Sequence, residues 1–432
     1  MEWTRLQDSR QLLNDAYNSS KGLHRISPKE LVTGNLPFGY PEAKPVYLSM
    51  LLIRQWFKKA GVEIYFKGLD KLQKMKGYRN IITPNHPNLF DSLVTRYLFY
   101  LGGQFVPFTA AVDTLSRVPG IAKILKANGT FFINTKRFDD MAYREQVNSF
   151  MRDLTDAGEW LQFYVEGDRG AHERQRVPRR GLLKAVVDKP CMFFPVSVSY
   201  EKIVTSYLNG IGKVYVEIHD PIAHHPAQEF TGLVNNLVET IQRGVNAYTT
   251  DIVATLLLYY GSGQTRLLQE LERDVQWLQA VIVSREVPFV EVKLETVLQF
   301  LEIKKHNDKV KVPLESSPEY LRLIHYRERI LHTLYDLADP PNFIAKEFAW
   351  TPPTPLIHDE QVKAVASNAV SPLVQMYSSI ITLLDQGVQT VKQIEEAITT
   401  PIINVQMLRN TLRLLREQKI ITVEANGVIK LN

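Results

Sequence analysis

The apolar residues in the first half of the chain come in short β-branched and aromatic runs, separated by longer stretches with helical spacing. Between about residues 60 and 220 these runs are VEIYF, NIIT, TFFIN, LQFYVE, MFFPVSVSY and KVYVEI. Short apolar runs that alternate with helical patterns are typical of an α/β domain with a largely buried sheet. We therefore predict an α/β fold in which a mixed sheet is flanked by helices.

The spacing of apolar residues changes to a 3.6-residue period at about residue 228 and keeps that period through three long segments. These segments are TGLVNNLVETIQRGVNAY, LLQELERDVQWLQAVIV and EYLRLIHYRERILHTLYDL. Near the end of the chain, two helical patterns at 390–398 and 404–419 precede IITVEANGVIKL, where Asn426-Gly427 is a hairpin turn signal. We predict a mainly helical second half with a winged-helix-like end.

Prolines mark a connection within the helical half. The stretch 340–372 carries ADPPNF and TPPTPLI, and prolines interrupt helices. The predicted organisation is an N-terminal helical or irregular segment at 1–45, an α/β domain at 46–227, a helical extension at 228–339, a proline-rich connection at 340–372 and a C-terminal subdomain at 373–432.

Composition restricts the class of protein and its partners. The 432 residues are 45% hydrophobic and 22% charged, as in globular proteins, and the single cysteine, Cys191, excludes an intramolecular disulfide. The N-terminus has no apolar core of a secretory signal, so we expect the mature chain to begin at or near Met1. No apolar run reaches the roughly 20 residues that span a bilayer. The net charge of +5 favours anionic partners.

The first segment with candidate chemistry is RNIITPNHPNLFDSLVTRYLFYL. Its pattern predicts a strand that ends near Thr83 and a helix that starts at about Pro87, since proline suits a first helical position. His86 then lies outside the helix, and its imidazole can fold back onto Asp91. Such a pair supplies a base near neutral pH, oriented by a carboxylate. The structural alternative is a capping histidine beside a helix-stabilising aspartate.

The second segment, LQFYVEGDRGAHERQRVPRRGLLKA, places Glu166, Gly167 and Arg169 just after a strand. From Arg169 to Lys184, both included, the sequence has six lysines or arginines against one acidic residue. Basic side chains beside glycines suit a phosphate-binding loop. A solvated surface loop is the alternative.

Two further segments complete the pattern. KANGTFFINTKRFDD predicts a strand at 130–133 that leads into Lys136 and Arg137. CMFFPVSVSYEKI places Pro195 within an apolar run, and a proline there predicts an edge or bulged position.

Together these four segments resemble the glycerolipid acyltransferase superfamily. Asn85-His86 to Asp91 is similar to its HxxxxD motif, and the other three blocks follow in the same order: Gly129 to Ile133 for GxxFI, Glu166, Gly167 and Arg169 for EGxR, and Phe194-Pro195-Val196 for the proline block. Looser similarities in the helical half favour the glycerol-3-phosphate and dihydroxyacetone-phosphate acyltransferase branch. The chain departs from the family at Asn134 and Thr135, where arginines are expected, and at Asp168, where a small residue is common.

The resemblance implies a phospholipid-biosynthetic O-acyltransferase. His86 would be the general base and Asp91 its partner, the donor would be acyl-CoA or acyl carrier protein, and no cofactor or metal would be bound. The acceptor would be glycerol 3-phosphate or a related phosphorylated compound. The implied substrate-binding residues are Asn85, Gly129, Lys136, Arg137, Glu166, Gly167, Arg169, Arg179, Arg180 and Pro195.

Three alternatives remain open. The acceptor could be lysophosphatidate or another lysolipid, or the fold could be a catalytically inactive lipid-binding protein. Arg409, Arg413 and Arg416 could contact nucleic acid, but a solvated helix face is the commoner explanation, and we do not expect DNA binding. The segment PVYLSMLLIRQWFKK suits either a membrane interface or the domain's own core, and we expect a cytoplasmic protein, peripheral on the cytoplasmic face of a membrane.

Overall fold

The structure, a computed structural model, divides into two compact units. The first unit comprises described residues up to Gly244, and the second begins at Val245. The structure describes residues 2–7, 10–20, 41–88, 90–103, 106–113, 121–138, 140–166, 178–202, 212–334, 360–388, 390–398, 405–417, 420–424 and 427–431.

A nine-stranded mixed sheet forms the centre of the first unit. Its strands are β1 (Thr4–Arg5), β2 (Glu63–Lys67), β3 (Arg79–Pro84), β4 (Phe108–Val112), β5 (Thr130–Ile133), β6 (Leu161–Gln162), β7 (Cys191–Tyr200), β8 (Lys213–Ile218) and β9 (Ile222–His224). The order across the sheet is β1-β2-β8-β7-β3-β6-β4-β5, with β9 beside β7. The predicted α/β class with a mixed sheet is confirmed.

Strands β3 to β7 of this sheet point the same way. β3 is parallel to β6 and β7, and β4 is parallel to β5 and β6, whereas β8 and β9 run antiparallel to β7. The carboxyl ends of β3 to β7 therefore meet at one edge of the sheet, which we call the carboxyl edge. Loops at such an edge are where ligand-binding groups collect in α/β folds.

Helices cover both faces of the sheet. They are α1 (Arg10–Ser20), α2 (Ala43–Ala60), α3 (Asp91–Leu98), α4 (Ile121–Ala127), α5 (Met141–Asp156), α6 (Arg180–Val186) and α7 (Phe230–Arg243). Successive strand residues enter different cores: Ile82 and Phe194 pack with α1, α2 and α3, whereas Ile81 and Phe193 pack with α5, α6 and α7. This alternation is expected for a sheet buried on both sides.

Pro195 does not lie at an edge, so that part of the prediction is wrong. β7 is hydrogen-bonded on both sides, and Pro195 is paired with Thr83 of β3. On its other side the Pro195 carbonyl accepts the His219 N–H at 3.0 Å, in the gap between β8 and β9. A proline is tolerated there because its nitrogen faces the interruption between two strands, where no ladder hydrogen bond is required.

The second unit is mainly helical. Its helices are α8 (Thr249–Tyr260), α9 (Leu268–Ser284), α10 (Leu294–Phe300), α11 (Pro318–Glu328), α12 (Leu331–Leu334), α13 (Glu360–Asp385), α14 (Val391–Ile398) and α15 (Val405–Glu417). Its strands are β10 (Ala247–Tyr248), β11 (Thr265–Leu267), β12 (Phe289–Val290), β13 (Lys305–His306), β14 (Lys309–Lys311), β15 (Ile421–Val423) and β16 (Ile429–Leu431). The predicted helical C-terminal region is confirmed, and α14, α15 and the β15–β16 hairpin follow the order of a winged helix.

Two predicted boundaries are displaced. Helix α7, assigned from the sequence to an extension that starts at residue 228, belongs to the first unit because Leu233, Leu237 and Ile241 pack into its core. Residues 360–372, predicted to be part of the connection, lie in α13, and Pro372 is inside this helix. A proline in a helix interior removes one i to i−4 hydrogen bond, and the buried face of α13 offsets that cost. The rest of the predicted connection lies outside the described residues.

No helix in the described ranges is both long enough and apolar enough to cross a membrane. Helix α2 packs Val46, Met50 and Phe57 into the first unit, so the segment predicted for either core or interface contributes to the core. Its opposite face is solvent-exposed.

His219 is a neutral histidine packed under the sheet. The Ser197 hydroxyl donates to the Ile241 carbonyl at 2.6 Å, so its oxygen is left to accept the Nε2 proton of His219 at 2.7 Å. Gly244 lies so close to Ser197 and His219 that a Cβ at this position would be 2.4 Å from the imidazole. Burial lowers the pKa of His219 to about 4, and the nearby Lys71 charge acts in the same direction.

Acid is therefore expected to destabilise the first unit through His219. Because its pKa is about 4 when folded and about 6.5 when unfolded, its contribution is complete above pH 6.5 and is lost as the pH falls towards 4. When the pH is lowered from 7 to 4.5, we expect the unfolding free energy of the wild type to fall by about 2 kcal/mol more than that of His219→Gln. Urea unfolding at both pH values measures this difference, and equal losses would contradict the assignment.

Candidate active site

The end of β3 places a histidine at the carboxyl edge. The Asn85 side chain holds this position, because its Nδ2 donates to the Val198 carbonyl at 3.0 Å and its Oδ1 accepts the Val198 N–H at 2.7 Å. The Asn85 backbone N–H also donates to the Val196 carbonyl. The backbone that precedes His86 is thus held against β7 at the point where the chain leaves the sheet.

The following turn brings His86 onto Asp91, the first residue of α3. His86 Nδ1 is 2.9 Å from Asp91 Oδ2, and the same oxygen accepts the Asn88 backbone N–H at 2.8 Å. Since a carboxylate only accepts, the imidazole proton lies on Nδ1 and the lone pair on Nε2. The His86 side chain is 17% exposed, whereas Asp91 is fully buried.

Asp91 has a third partner in Tyr200, at the end of β7. The Tyr200 hydroxyl donates to Asp91 Oδ1 at 2.5 Å. Burial raises the pKa of Asp91, and the hydrogen bonds from His86, Tyr200 and the Asn88 backbone oppose that rise by stabilising the carboxylate. The carboxylate is thus buried with both oxygens bonded.

Two residues from the end of β6 complete the surroundings of His86. The Tyr164 ring stacks on the imidazole with 3.9 Å between centroids and 13° between planes. The buried Glu166 carboxylate accepts the His86 backbone N–H at 3.0 Å. One face of the imidazole and its backbone are therefore fixed by a strand adjacent to β3.

Arg96 fixes α3 from behind the site. Its guanidinium is buried and donates to the Asn128 carbonyl at 2.6 Å and to the Thr130 hydroxyl at 3.2 Å. Burial lowers the pKa of Arg96 to about 10. The helix that carries Asp91 is thereby tied to the start of β5.

The site lies within a sequence region that matches a known family. The family model described as Acyltransferase matches residues 63–199, which include strands β2 to β6, β7 up to Ser199, and the residues of the His86 surroundings named above except Tyr200. The chain contains an acyltransferase domain.

Two curated relatives of this acyltransferase domain are both named glycerol-3-phosphate acyltransferase. A glycerol-3-phosphate acyltransferase of Xanthomonas axonopodis pv. citri is 30% identical over 174 residues, which are 38% of this chain and 19% of that protein. A glycerol-3-phosphate acyltransferase of Haemophilus influenzae is 23% identical over 337 residues, 63% of this chain and 41% of that protein. The matched regions span between about a fifth and two fifths of these curated relatives. The superfamily and branch inferred from the four motifs are confirmed.

A solved structure also aligns with part of this chain. It is the crystal structure of the 1-acyl-sn-glycerophosphate (LPA) acyltransferase from Thermotoga maritima, with a TM-score of 0.36 and 18% sequence identity. The alignment covers 46% of this chain and 77% of that chain.

Four of the predicted substrate-binding cations lie on the surface of the acyltransferase domain. Lys136 and Arg137 follow β5, at the carboxyl edge, and Arg179 and Arg180 begin α6. The Arg179 backbone N–H donates to the Val165 carbonyl at 2.7 Å, one residue from Glu166. β5 is three strands from β3, which is about 14 Å at normal strand spacing.

These four cationic residues differ in the ion pairs and hydrogen bonds that they make with other side chains. Arg137 makes a 3.0 Å ion pair with Asp140 and lies over the Tyr143 ring. The Asn134 side chain accepts the Lys136 backbone N–H and so caps a short turn. Arg137 would have to exchange a carboxylate for a ligand phosphate. Gly167 and Arg169 lie outside the described residues.

Other residues predicted to bind substrate have structural roles. Both polar atoms of the Asn85 amide are bonded to Val198, and Pro195 is within the paired β7 strand. Gly129 lies at the start of β5, at the edge opposite to His86, where its φ of +75° explains the glycine. Direct substrate contact by Asn85 or Gly129 is not favoured by these positions.

Sequence reasoning missed Tyr164 and Tyr200. Tyr164 stands two residues before Glu166, and Tyr200 is the last residue of β7. Both tyrosines lie at strand ends on the carboxyl edge, and that position could have marked them as candidate site residues. Their partners His86 and Asp91 are distant in sequence, so no local pattern connects them.

Tyr200→Phe tests the buried hydrogen bond. Removal of a hydroxyl that donates to a buried carboxylate is expected to lower the unfolding free energy by about 1.5–3 kcal/mol. Because the Asp91 carboxylate then loses a stabilising donor, we also expect acyl transfer to slow about tenfold. Urea unfolding and initial rates measure the two effects; Tyr215→Phe, on the neighbouring β8, is the matched control. An unchanged rate would show that Tyr200 does not position Asp91.

Metal and nucleic-acid sites have no support in the described parts of the chain. No group of three or more histidine, cysteine, aspartate or glutamate residues there is placed to hold a metal ion. On α15, Arg409 is paired with Glu395 at 2.7 Å and Arg413 is half-buried, so two of the three arginines considered for nucleic acid are engaged within the subdomain.

Proposed function

We propose that the protein transfers a fatty acyl group from a thioester to a hydroxyl of glycerol 3-phosphate or a closely related phosphorylated acceptor. The observation that carries this proposal is the hydrogen-bonded His86–Asp91 pair at the carboxyl edge, with its Nε2 lone pair available as a base. The donor is acyl-CoA or acyl carrier protein, and the proposal requires no bound cofactor.

The proposed reaction is a direct displacement. His86 Nε2 accepts the proton of the acceptor hydroxyl while the oxygen attacks the thioester carbonyl. The tetrahedral oxyanion then expels the thiolate, which takes the proton from the imidazolium. Asp91 stabilises the imidazolium and keeps the proton on Nδ1, and the stacked Tyr164 ring presents a π face to the developing cation.

Cationic side chains at the same edge would bind the phosphates of acceptor or donor. Lys136, Arg179 and Arg180 are exposed there. Guanidinium groups bind phosphate through paired charge-assisted hydrogen bonds. Glu166 acts through the His86 backbone and orders the turn.

A cavity next to α3 suits the acyl chain. It measures about 550 Å³, within the normal range for ligand pockets, and its apolar walls include Phe57, Ile64 and Tyr97. Tyr97 is six residues along α3 from Asp91, about 9 Å. Glu63, which also lines the cavity, begins β2 at the sheet edge where β7 ends.

Thiol release tests the proposed function. Palmitoyl-CoA and palmitoyl acyl carrier protein are supplied as donors, and glycerol 3-phosphate, dihydroxyacetone phosphate and lysophosphatidate in turn as acceptors. We expect release that depends on a phosphorylated acceptor, and the acceptor with the highest kcat/KM names the substrate. Acyl-chain binding without acceptor-dependent release from either donor would instead establish an inactive lipid-binding protein.

We also propose that the protein is cytoplasmic and attaches peripherally to a membrane through α2. Leu48 and Leu52 are 50% and 62% exposed on one face of this helix, and Ile124 of the adjoining α4 is 46% exposed. Lys44, Lys58 and Lys59 are exposed on the same helix. Exposed leucines flanked by lysines suit an interfacial helix.

The double variant Leu48→Ser/Leu52→Ser tests this attachment. It removes most of the exposed apolar area of α2 without touching its buried residues, so we expect weaker co-sedimentation with phospholipid vesicles and unchanged thermal stability. Ser substitutions at the exposed Val283 and Met141 provide the control. Undiminished vesicle binding would exclude α2 as the contact.

A further inference from the structure

The three-stranded sheet of the second unit has two chemically different faces. Its strand order is β11-β14-β13, and all neighbours are antiparallel. Val310, in the middle of β14, is paired with Arg266 on one side and Lys305 on the other, and it is fully buried. Directly opposite residues share a face, so these three residues lie on the inner face.

The outer face follows from the same register. Lys309 is opposite Leu267 and His306, and Lys311 is opposite Thr265. Residues two apart in a strand also share a face, so all five side chains project to the outer side. We call this surface the outer face: Thr265, Leu267, His306, Lys309 and Lys311.

The outer face is exposed and cationic. All five of its residues are solvent-exposed, and Leu267 is 38% accessible. None of the five is acidic. The acidic residues next to it in sequence are Asp308, in the β13–β14 turn, and Glu270, whose carboxylate accepts the Leu267 backbone N–H at 3.2 Å.

The cations of the two faces differ in their partners. On the inner face, Lys305 lies 3.6 Å from Glu295 and the Arg266 guanidinium lies over the Tyr260 ring. On the outer face, Lys309 and Lys311 form no ion pair with any residue in the described ranges. The inner-face cations thus have partners in the second unit, whereas the outer-face lysines are open to an anion.

We propose that the outer face docks on an anionic lipid bilayer. Lys309 and Lys311 would place their ammonium groups among lipid phosphates, and Leu267, opposite Lys309 on β11, would enter the acyl boundary. Lipid is chosen over other anions because the proposed function requires the protein to meet phospholipid precursors and products, so this choice rests on that proposal. The surface belongs to the second unit and is distinct in sequence from α2.

Vesicle co-sedimentation of the full chain tests the proposal. The probes are vesicles of phosphatidylcholine alone and vesicles in which about a third of the lipid is phosphatidylglycerol. A lysine close to an anionic surface contributes roughly a fivefold increase in partitioning, so Lys309→Gln/Lys311→Gln is expected to lower binding to the anionic vesicles about 25-fold. Binding of this variant to phosphatidylcholine alone should equal that of the wild type.

Matched controls separate specific docking from net charge. Lys76→Gln/Lys392→Gln changes the net charge by the same amount at exposed positions that are not part of the outer face, and it should bind as the wild type does. Leu267→Ser should weaken binding in salt of about 0.5 M, where lysine attraction is screened. An equal loss in both double variants, or no loss in Lys309→Gln/Lys311→Gln, would overturn the proposal.

The outcome does not depend on catalysis. Vesicle binding is measured without substrates, and thiol release with a water-soluble acceptor is measured without vesicles. The outer-face variant should keep that release. If the wild type shows no acyl transfer but the outer-face variant loses binding to anionic vesicles, the proposed function fails while the docking surface stands. If the variant instead loses binding to an acidic carrier protein and still binds vesicles as the wild type does, the docking surface is overturned.

Discussion

Replacement of His86 by alanine is expected to lower kcat for acyl transfer by a factor of about 10²–10⁴, the usual contribution of a general base. The His86 imidazole is the group at the carboxyl edge whose Nδ1 is held by a buried carboxylate, so that its Nε2 can take the acceptor proton. KM should change much less, because the cations and the cavity proposed to bind the substrates are left unchanged. Steady-state thiol release with varied acceptor measures both constants.

Two further variants make the His86 result interpretable. His86→Gln retains a side-chain N–H that can reach Asp91, so it preserves the buried hydrogen bond and removes only the base. His225→Ala alters an exposed histidine of the same domain and should retain full activity. If His86→Gln turned over substrate at the wild-type rate, His86 would be a structural cap and the proposed mechanism would be wrong.

Asp91→Asn is expected to lower kcat by about 10³–10⁴-fold, although it changes the side-chain volume very little. The asparagine amide can donate to His86 Nδ1, which moves the imidazole proton to Nε2 and leaves no lone pair facing the acceptor. The new amide must also share one carbonyl oxygen between the Asn88 N–H and the Tyr200 hydroxyl, which now bond to a carboxylate. Rates and thermal unfolding should be measured on the same preparation.

Asp156→Asn is a suitable control for that experiment. Asp156 accepts hydrogen bonds from Arg79 and Lys189, at the end of β3 remote from His86. It should reduce stability with little effect on kcat, whereas Asp91→Asn should abolish most turnover. Comparable kcat losses in the two variants would mean that the Asp91 effect reflects general destabilisation.

The sequence predicted most strands but not β4. The runs rich in β-branched and aromatic residues became β2, β3, β5, β7 and β8. β4 reads FTAAV, and its central Ala110 and Ala111 have weak strand preference, so only the pairing with β5 and β6 makes it a strand. Conversely, LQFYVE forms only two strand residues, because Tyr164 and Glu166 turn towards His86.

The site was predictable where its chemistry is local. His86 and Asp91 are five residues apart, so a strand end followed by a helix start was enough to place them together. Tyr200 is 109 residues from Asp91 in sequence, and its contact depends on how β7 is registered against β3. A pattern within a single segment carries no information about that register, which is why Tyr200 escaped notice.

The domain boundary illustrates the same limit. The 3.6-residue period begins before α7, so periodicity alone joined α7 to the helices that follow it. The apolar stripe of α7 is instead buried by the sheet of the first unit, through residues such as Val234 and Leu237. Periodicity reveals that a helix has an apolar face, but not which core receives it.

The pairing of β7 with β3 has a consequence for synthesis on the ribosome. Asn85 and Asp91 emerge early, but Val198 and Tyr200, which bond to them, are translated more than a hundred residues later. Until β7 has left the exit tunnel, the nascent chain has no template to fix the His86 turn, and long-range parallel pairing is slow to form. The first unit therefore gains an ordered His86 turn only after most of its sheet has been synthesised, so shorter nascent chains are expected to lack the geometry proposed for acyl transfer.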